Sequence, residues 1–203
     1  MAELTKRYGM VIDLTTCLGC QACSAACSLQ NETPYFAGKF RTNVEDIEEG
    51  TFPNTTRTFF PHLCMHCEDA PCARVCPTGA TYQNADGVVM IDYAKCMGCT
   101  ACIDACPYGA RYVYSKDDVK KAKEVFGPAN QHMVPHVDKC NFCYEDRTSQ
   151  GMQPACASTC PGDARIFGDL NDPNSQVAQL VSSGKAKPLG AQFGTKPKVY
   201  YIG

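Results

Sequence analysis

The apolar positions of the chain occur in short runs between polar stretches rich in glycine and proline. Two of these runs, residues 10–13 and 89–92, combine β-prone apolar residues with a closing Asp, and each predicts a short strand. The longest apolar runs, such as residues 87–91, are much shorter than the roughly 20 residues that a membrane helix needs. The pattern therefore predicts no direct membrane span.

A helix is predicted after residue 115. Ser115, followed three residues later by Asp118, forms the pattern of a capping box, in which each side chain accepts a hydrogen bond from the other residue's backbone N–H. Residues 119–126 have helical character, and the pair Gly127 and Pro128 predicts where the helix ends.

A second helix is predicted near the C-terminus. Asp172 with Pro173 behind it predicts an N-cap and a first turn, and Gly184 predicts the end. The apolar face of this helix consists of Val177, Leu180 and Val181. The remaining residues, 185–203, hold two prolines and a β-prone end, which predicts an extended arm lying on a partner or on the protein's own body.

Composition narrows the function to a few classes. Nineteen Lys and Arg against 21 Asp and Glu give a net charge of −2, so no broad cationic surface and no nucleic-acid binding are predicted. Residues 1–7 hold neither an apolar signal-peptide core nor a twin-arginine pair, and no export signal is predicted. The sixteen cysteines matter most, because so many thiols form disulfides, zinc sites or iron–sulfur sites.

The cysteines fall into four groups of four. Groups one and three have the spacing C-x2-C-x2-C-x3-C, group two has C-x2-C-x4-C-x3-C, and group four has C-x2-C-x12-C-x3-C. The members are Cys17, Cys20, Cys23 and Cys27 in group one, Cys64, Cys67, Cys72 and Cys76 in group two, Cys96, Cys99, Cys102 and Cys106 in group three, and Cys140, Cys143, Cys156 and Cys160 in group four.

This spacing predicts four 4Fe-4S clusters. Three cysteines within seven residues cannot close unstrained disulfides among themselves, but they can surround one iron–sulfur cubane. A disulfide framework would also require an oxidising compartment. Zinc sites typically use two C-x2-C pairs separated by a longer stretch, a pattern that group four alone resembles. A zinc-stabilised scaffold therefore remains an alternative at this point.

The turns after the last cysteine of a group form an internal repeat. Cys-Pro pairs begin at Cys76, Cys106 and Cys160, and β-prone residues follow each pair. Strand, cysteine run, short helix, Cys-Pro turn and strand make up half of a bacterial two-cluster ferredoxin. Only residues 77–95 separate groups two and three, so they are predicted to form one ferredoxin-like module, and groups one and four to pair across it.

The predicted fold is therefore α+β, with two dicluster modules, one inserted in the other. Residues 1–63 and 108–168 form the split module, and residues 64–107 form the inserted one. Residues 28–63 and 108–139 are loop-rich connectors within this plan. A C-terminal helix and a partner-docking arm occupy residues 169–203.

The ligand sets follow from a rule of two-cluster ferredoxins. In those proteins the last cysteine of each run binds the cluster of the other run. Applied here, the rule predicts a first set of Cys17, Cys20, Cys23 and Cys160, a second of Cys27, Cys140, Cys143 and Cys156, a third of Cys64, Cys67, Cys72 and Cys106, and a fourth of Cys76, Cys96, Cys99 and Cys102.

Longer motifs carry a resemblance to a known family. They are CMHCEDAPC at residues 64–72, CPYGA at 106–110, KCNFC at 139–143 and FGDLNDPNS at 167–175. With them the chain resembles the four-cluster iron–sulfur subunits of molybdopterin oxidoreductases, which include polysulfide, thiosulfate, tetrathionate, dimethyl sulfoxide and arsenate reductases. Residues 167–175 and 195–201 look most like the polysulfide-reductase branch. Cys99 stands where nitrate-reductase relatives often carry Trp, and Ser28 departs from the usual Pro.

The resemblance implies an electron-transfer subunit. It would relay single electrons between a large molybdopterin catalytic subunit and a quinone-reactive membrane subunit, and it would lie against the outer face of the cytoplasmic membrane after co-export with its partner. A wholly cytoplasmic complex is the alternative location. Cysteine fills every predicted ligand position, so the chain itself is predicted not to be an enzyme. A subunit of a hydrogenase or formate-linked complex, or a free polyferredoxin, is the alternative function.

Several other residues have predicted roles at these sites. Loops containing Gly19, Gly79, Gly98 and Gly109 are expected to point backbone N–H groups at sulfur, and His66 to make a hydrogen bond rather than bind iron. Four basic residues beside ligands either raise local potentials or are solvated: Arg74, Lys95, Arg111 and Lys139. Residues 35–57, with Phe36, Phe40 and Phe52, are predicted to dock a partner.

Overall fold

The computed structural model describes residues 6–127 and 136–203 of the chain. Its strands are β1 (Tyr8–Asp13), β2 (Thr42–Thr51), β3 (Asn54–Leu63), β4 (Thr81–Gln83), β5 (Val89–Ile91), β6 (Tyr112–Val113), β7 (Val137–Asp138), β8 (Arg165–Asp169), β9 (Lys187–Pro188) and β10 (Val199–Ile202). Its α-helices are α1 (Ala22–Gln30), α2 (Pro71–Arg74), α3 (Ala101–Asp104), α4 (Lys116–Phe126), α5 (Ala155–Ser158) and α6 (Gln176–Ser182). The chain is thus a small mixed α/β protein.

A four-stranded sheet in the order β8, β1, β10, β9 contains both ends of the described chain. β1 pairs antiparallel with β8 and parallel with β10, with Met10 opposite Val199. The strand predicted at residues 10–13 is confirmed within β1. The sequence predicts that the tail lies either on a partner or on the protein's own body. Residues 187–188 and 199–202 pair within the four-stranded sheet, so this part of the tail lies on the protein's own body.

The connector predicted as loop at residues 28–63 contains a long hairpin instead. β2 and β3 pair over ten residues each, from Thr42 opposite Leu63 to Thr51 opposite Asn54. The hairpin escaped prediction because the outer part of β2 is exposed on both faces and lacks the alternation of a half-buried strand. At its tip, Phe52 is 89% exposed.

The first predicted helix is confirmed as α4. The backbone N–H of Asp118 donates to Ser115 Oγ at 3.1 Å, and the N–H of Ser115 donates to Asp118 Oδ2 at 3.0 Å, which completes the capping box. Gly127 follows the last helical residue and its N–H donates to the carbonyl of Lys123. Pro128 lies outside the described residues.

The second predicted helix begins later than the sequence indicates. Asp172 accepts a hydrogen bond from the N–H of Asn174 at 2.9 Å, so its side chain closes a turn instead of capping a helix. Ser175 is the N-cap of α6, and the helix ends at Ser182, just before Gly184. The predicted apolar face is correct, since Val177 is fully buried against the central sheet.

The cysteine groups pack between these elements. α1 packs against α5, and α2 packs against α3, which brings group one beside group four and group two beside group three. The largest apolar cluster of the described residues includes seven cysteines: Cys23, Cys64, Cys67, Cys72, Cys102, Cys140 and Cys156. These seven thiols therefore lie in the interior, where they take the place of part of an ordinary core.

Within the described ranges, no helix has the length and apolar character needed to cross a membrane.

Candidate iron–sulfur sites

The four C-x2-C loops share one backbone conformation. The residue before the second cysteine has a positive φ in every loop: +66° at Gly19, +44° at His66, +71° at Gly98 and +55° at Phe142. Glycine adopts this left-handed conformation without steric cost, which explains Gly19 and Gly98. The four loops are therefore copies of one turn, which agrees with their common cysteine spacing.

Two of these loops contact each other through stacked, buried rings. The rings of His66 and Phe142 stack with their centroids 3.7 Å apart, and both side chains are buried. The N–H of Val89 donates to His66 Nδ1 at 3.2 Å, so the predicted hydrogen-bonding role of His66 is observed. Burial, together with the nearby cations Lys139, Lys198 and Arg111, holds the pKa of His66 well below its ordinary value. The ring is therefore neutral.

The three Cys-Pro turns also repeat. The N–H of Gly79 donates to the carbonyl of Cys76, that of Gly109 to Cys106 and that of Asp163 to Cys160, at 3.2 to 3.3 Å. A backbone N–H after the first of these turns also donates to sulfur: the N–H of Thr81 lies 3.4 Å from Cys76 Sγ. The chain thus presents thiols together with donors that stabilise negatively charged sulfur.

Two sets of four cysteines line separate cavities. Cys17, Cys20, Cys23 and Cys160 surround one cavity, and Cys76, Cys96, Cys99 and Cys102 surround the other. Each cavity therefore joins the last cysteine of one group to the first three of another. Cys20 and Cys99 are exposed to solvent.

The other eight cysteines are close enough to affect one another's ionisation. Burial, followed by the charges of Cys140, Cys156 and Cys143, raises the pKa of Cys27 well above its ordinary value. Burial also raises the pKa of Cys67 to about 12, and the charges of Cys64, Cys72 and Cys106 act in the same direction. These thiols resist ionisation on their own, so a bound metal group would have to supply the compensating positive charge.

Five cations are buried in the described part of the chain, against one buried carboxylate, Asp138. The cations are Arg41, Arg111, Lys139, Arg165 and Lys198. Nε and Nη2 of Arg111 and Nη1 of Arg165 have no hydrogen-bond partner in this part of the chain. Burying charged donors without partners is costly, so the interior is built for additional negative charge.

Cysteines are the neighbours of two of these cations, Arg111 and Arg165. Burial disfavours the charge of Arg111, yet the sulfurs of Cys72, Cys64 and Cys102 raise its pKa above the ordinary value. The sulfurs of Cys156, Cys23 and Cys140 act on Arg165 in the same way. Soft thiolate ligands, donors aimed at sulfur and buried guanidinium groups beside the thiols together fit anionic iron–sulfur clusters.

The sequence predicted only some of these buried cations. Of the four basic residues predicted beside ligands, Arg111 and Lys139 are buried, whereas Arg74 and Lys95 are exposed. Lys95 pairs with Asp92 at 2.9 Å on the surface.

Arg165, Arg41 and Lys198 were missed. A signal for Arg165 existed, because it stands five residues after Cys160, just as Arg111 stands five residues after Cys106.

Comparison with known proteins agrees with this geometry. The family model described as "4Fe-4S dicluster domain" matches residues 55–136 and 124–170. The sequence is 40% identical to one subunit of the tetrathionate reductase of Salmonella typhimurium, over 97% of this chain and 72% of that subunit. It is 39% identical to one polypeptide of the polysulfide reductase of Wolinella succinogenes, over 98% of this chain and 95% of that polypeptide.

A third relative, a subunit of the selenate reductase of Mesobacillus selenatarsenatis, is 41% identical over 95% of this chain and 70% of that subunit. These relatives span nearly all of the sequence, including all four cysteine groups. The predicted family is thereby confirmed, and the protein belongs to the iron–sulfur subunits with a 4Fe-4S dicluster domain that form part of respiratory reductases.

Proposed function

We propose that the chain is the non-catalytic electron-transfer subunit of a molybdopterin oxidoreductase and that it holds four 4Fe-4S clusters. The observation that carries the proposal is the set of sixteen cysteines, most of them buried or half-buried, together with the five buried cations of the described residues. When bound, each cluster supplies reversible one-electron chemistry. The sixteen thiols match the ligand count of four cubanes and leave no cysteine over for another site.

The proposed ligand sets are those of the ferredoxin rule. Support for the first and fourth sets comes from the two cysteine-lined cavities, and support for the second and third from the mutual effects of their thiols on pKa. The packing of α1 on α5 and of α2 on α3 supports two dicluster modules, one inserted in the other.

Contacts between sets support a linear order from first to fourth. Cys23 of the first set acts electrostatically on Cys156 of the second, and Cys64 of the third acts on Cys140 of the second. Arg111 faces both Cys72 of the third set and Cys102 of the fourth. The exposed thiols of Cys20 and Cys99 then mark the two ends of the row.

One buried cation stands at each junction of this row. Arg165 faces thiols of the first and second sets, Lys139 those of the second and third, and Arg111 those of the third and fourth. A cation placed between two anionic sites lowers their mutual repulsion and favours negative charge on both. We therefore propose that each of the three residues raises the reduction potentials of the two clusters beside it.

Lys139 provides a test of this role, with Lys95 as a matched control. Both lysines directly precede a ligand, but Lys139 is buried and Lys95 is exposed. Lys139→Met should make reduction of the second and third clusters less favourable, by at least about tenfold, because a buried charge acts through a low dielectric. Lys95→Met should leave all potentials nearly unchanged because water screens its charge. Redox titration followed by electron paramagnetic resonance measures both, and equal effects would contradict the junction role.

Each end of the row carries an exposed apolar side chain beside its exposed cysteine. Leu18 is 62% and Met97 is 66% exposed. We propose that one end meets the large molybdopterin catalytic subunit and the other a quinone-reactive membrane subunit. The chain then lies peripherally at the cytoplasmic membrane, on its outer face after co-export with its partner, or in the cytoplasm if the whole complex stays there.

Substitution of these two side chains tests the ends. Leu18→Gln and Met97→Gln should each weaken binding of a different partner by about tenfold or more, since apolar surface would no longer be buried at that contact. Val125→Gln on α4 is the control, because Val125 is also an exposed apolar residue but lies away from the cysteine loops. Binding can be measured by co-purification from cells. Normal binding of both partners to both variants would contradict the assignment.

Metal analysis tests the cluster count and the class of complex. The purified chain should contain about sixteen irons and sixteen labile sulfides, four per cubane. About eight of each would contradict the proposal. Molybdenum should co-purify with the intact complex. Its absence, with nickel or with no partner at all, would favour a hydrogenase-type subunit or a free polyferredoxin.

A further inference from the structure

We infer that Asn31 tunes the reduction potential of the second cluster and that the buried pair Arg41–Asp138 positions it. The inference rests on the proposed ligand set in which Cys27 and Cys143 bind the same cluster. Asn31 Nδ2 lies 3.5 Å from Cys27 Sγ and 3.8 Å from Cys143 Sγ. The side chain is only 5% exposed, so water does not compete for its N–H groups.

Group one differs from the other three groups in the residues that follow its last cysteine, and Asn31 lies there. After Cys76, Cys106 and Cys160 the chain makes a Cys-Pro turn, whose backbone can donate to sulfur, as Thr81 does to Cys76. Ser28 follows Cys27 instead, and α1 continues to Gln30. Asn31 is the C-cap of this helix, and its side-chain amide supplies a donor where the turn is missing.

The orientation of the amide follows from its second contact. Arg41 Nη1 donates to Asn31 Oδ1 at 2.8 Å, and a guanidinium has no acceptor. The oxygen of the amide must therefore face Arg41, which leaves Nδ2 facing the sulfurs. One N–H of Nδ2 is directed at the carbonyl of Cys27 at 2.9 Å, and the other is available for the two sulfurs.

Arg41 is itself held in place from several sides. Its Nε donates to Asp138 Oδ2 at 3.0 Å, and its Nη2 lies 2.9 Å from Asp138 Oδ1. Tyr93 donates to Asp138 Oδ1 at 2.9 Å, and the backbone N–H of Lys139 donates to the same atom at 2.8 Å. Both members of the pair are almost fully buried. The pair therefore acts as a rigid, charge-neutral support for the amide.

The expected effect has a clear sign. A hydrogen bond to cluster sulfur stabilises the reduced state more than the oxidised state, because the reduced state carries more negative charge. Asn31→Leu, which removes the donor and keeps much of the volume, should make reduction of one cluster about tenfold less favourable. For a one-electron couple this corresponds to a potential about 59 mV lower.

Redox titrations monitored by electron paramagnetic resonance provide the measurement, together with three further variants. Gln30→Leu is the control, because Gln30 directly precedes Asn31. Its side-chain amide accepts a hydrogen bond from Arg147 and makes no sulfur contact in the described structure. Asn31→Asp keeps the shape but replaces the donor with a carboxylate oxygen, so it should lower the same potential even if the Leu variant assembles poorly. Arg41→Lys keeps the charge but loses the planar fork, and it should lower that potential by less.

The ligand set is checked separately with Cys27→Ser and Cys143→Ser. If these two disturb one common signal and neither Asn31 variant shifts that signal's potential, the inference fails while the ligand set stands. If the Asn31 variants lower a potential but the two cysteine variants disturb different signals, the ligand set fails while tuning by Asn31 stands. A shift of all four potentials, or an equal shift in Gln30→Leu, would contradict a specific role.

Discussion

Removal of iron from the purified chain is expected to unfold it. Seven cysteines belong to the main core of the described residues, and five cations are buried among the thiols. Without clusters, burial raises the pKa of the Cys27 and Cys67 thiols and so disfavours their charged form, and the guanidinium groups of Arg111 and Arg165 lose their anionic partners. Each uncompensated charge costs several kcal/mol, against a typical total stability of about 5–15 kcal/mol.

Circular dichroism measures the outcome. The anaerobically chelated chain, kept reduced so that no disulfides form, should lose its strand and helix signals and its tyrosine signal in the near ultraviolet. Rebuilding the clusters with ferrous iron and sulfide should restore these signals. A chelated chain with a native-like spectrum would show that the polypeptide supports its own core, and the coupling of cluster binding to folding would be wrong.

The sequence predicted the ligand loops because cluster chemistry constrains the spacing of cysteines so tightly. Gly19 and Gly98 also signalled the left-handed turn before the second cysteine. His66 and Phe142 adopt the same conformation without a glycine to signal it. Their strain is offset by a contact between two loops that lie far apart in the sequence, the stacking of the two rings. A contact of that kind has no local sequence pattern.

The hairpin of β2 and β3 shows a different limit. Its outer residues face solvent on both sides, so neither an apolar stripe nor an alternation indicates a strand. The predicted docking segment at residues 35–57 nonetheless contains exposed apolar side chains. Tyr35 and Phe40 line an apolar groove beside α1, and Phe52 lies at the hairpin tip. Docking of a partner at this segment stays a prediction.

The buried cations were the hardest feature to predict. A lysine or arginine beside a cysteine is as compatible with a solvated surface as with an interior site. Lys95 is exposed, for example, whereas Lys139 is buried. Arg41 and Lys198 lie far from any cysteine motif in sequence and reach the thiols only through the tertiary fold. Repeat position is the one usable signal, since it relates Arg165 to Arg111.

The largest effect of any single substitution is expected at the cysteines, where it reveals which of them share a cluster. Cys106→Ser and Cys64→Ser should disturb the same paramagnetic signal of the reduced chain, although the two residues belong to different groups. The thiol of Cys106 acts on that of Cys67, which lies in the same loop as Cys64. In groups two and three a short helix contains the third cysteine, and Cys76, the last cysteine of group two, lines the cavity of Cys96, Cys99 and Cys102.

Cys99→Ser is the decisive comparison for this crossed arrangement. Cys99 and Cys106 belong to one group, yet Cys99 lines the cavity that also contains Cys76. Its substitution should therefore alter a second signal and leave the one shared by Cys64 and Cys106 intact. The alternative, in which each group binds its own cluster, predicts that Cys106→Ser and Cys99→Ser disturb one common signal and that Cys64→Ser disturbs another. The two arrangements thus give opposite groupings of the same three spectra, and that pattern decides between them.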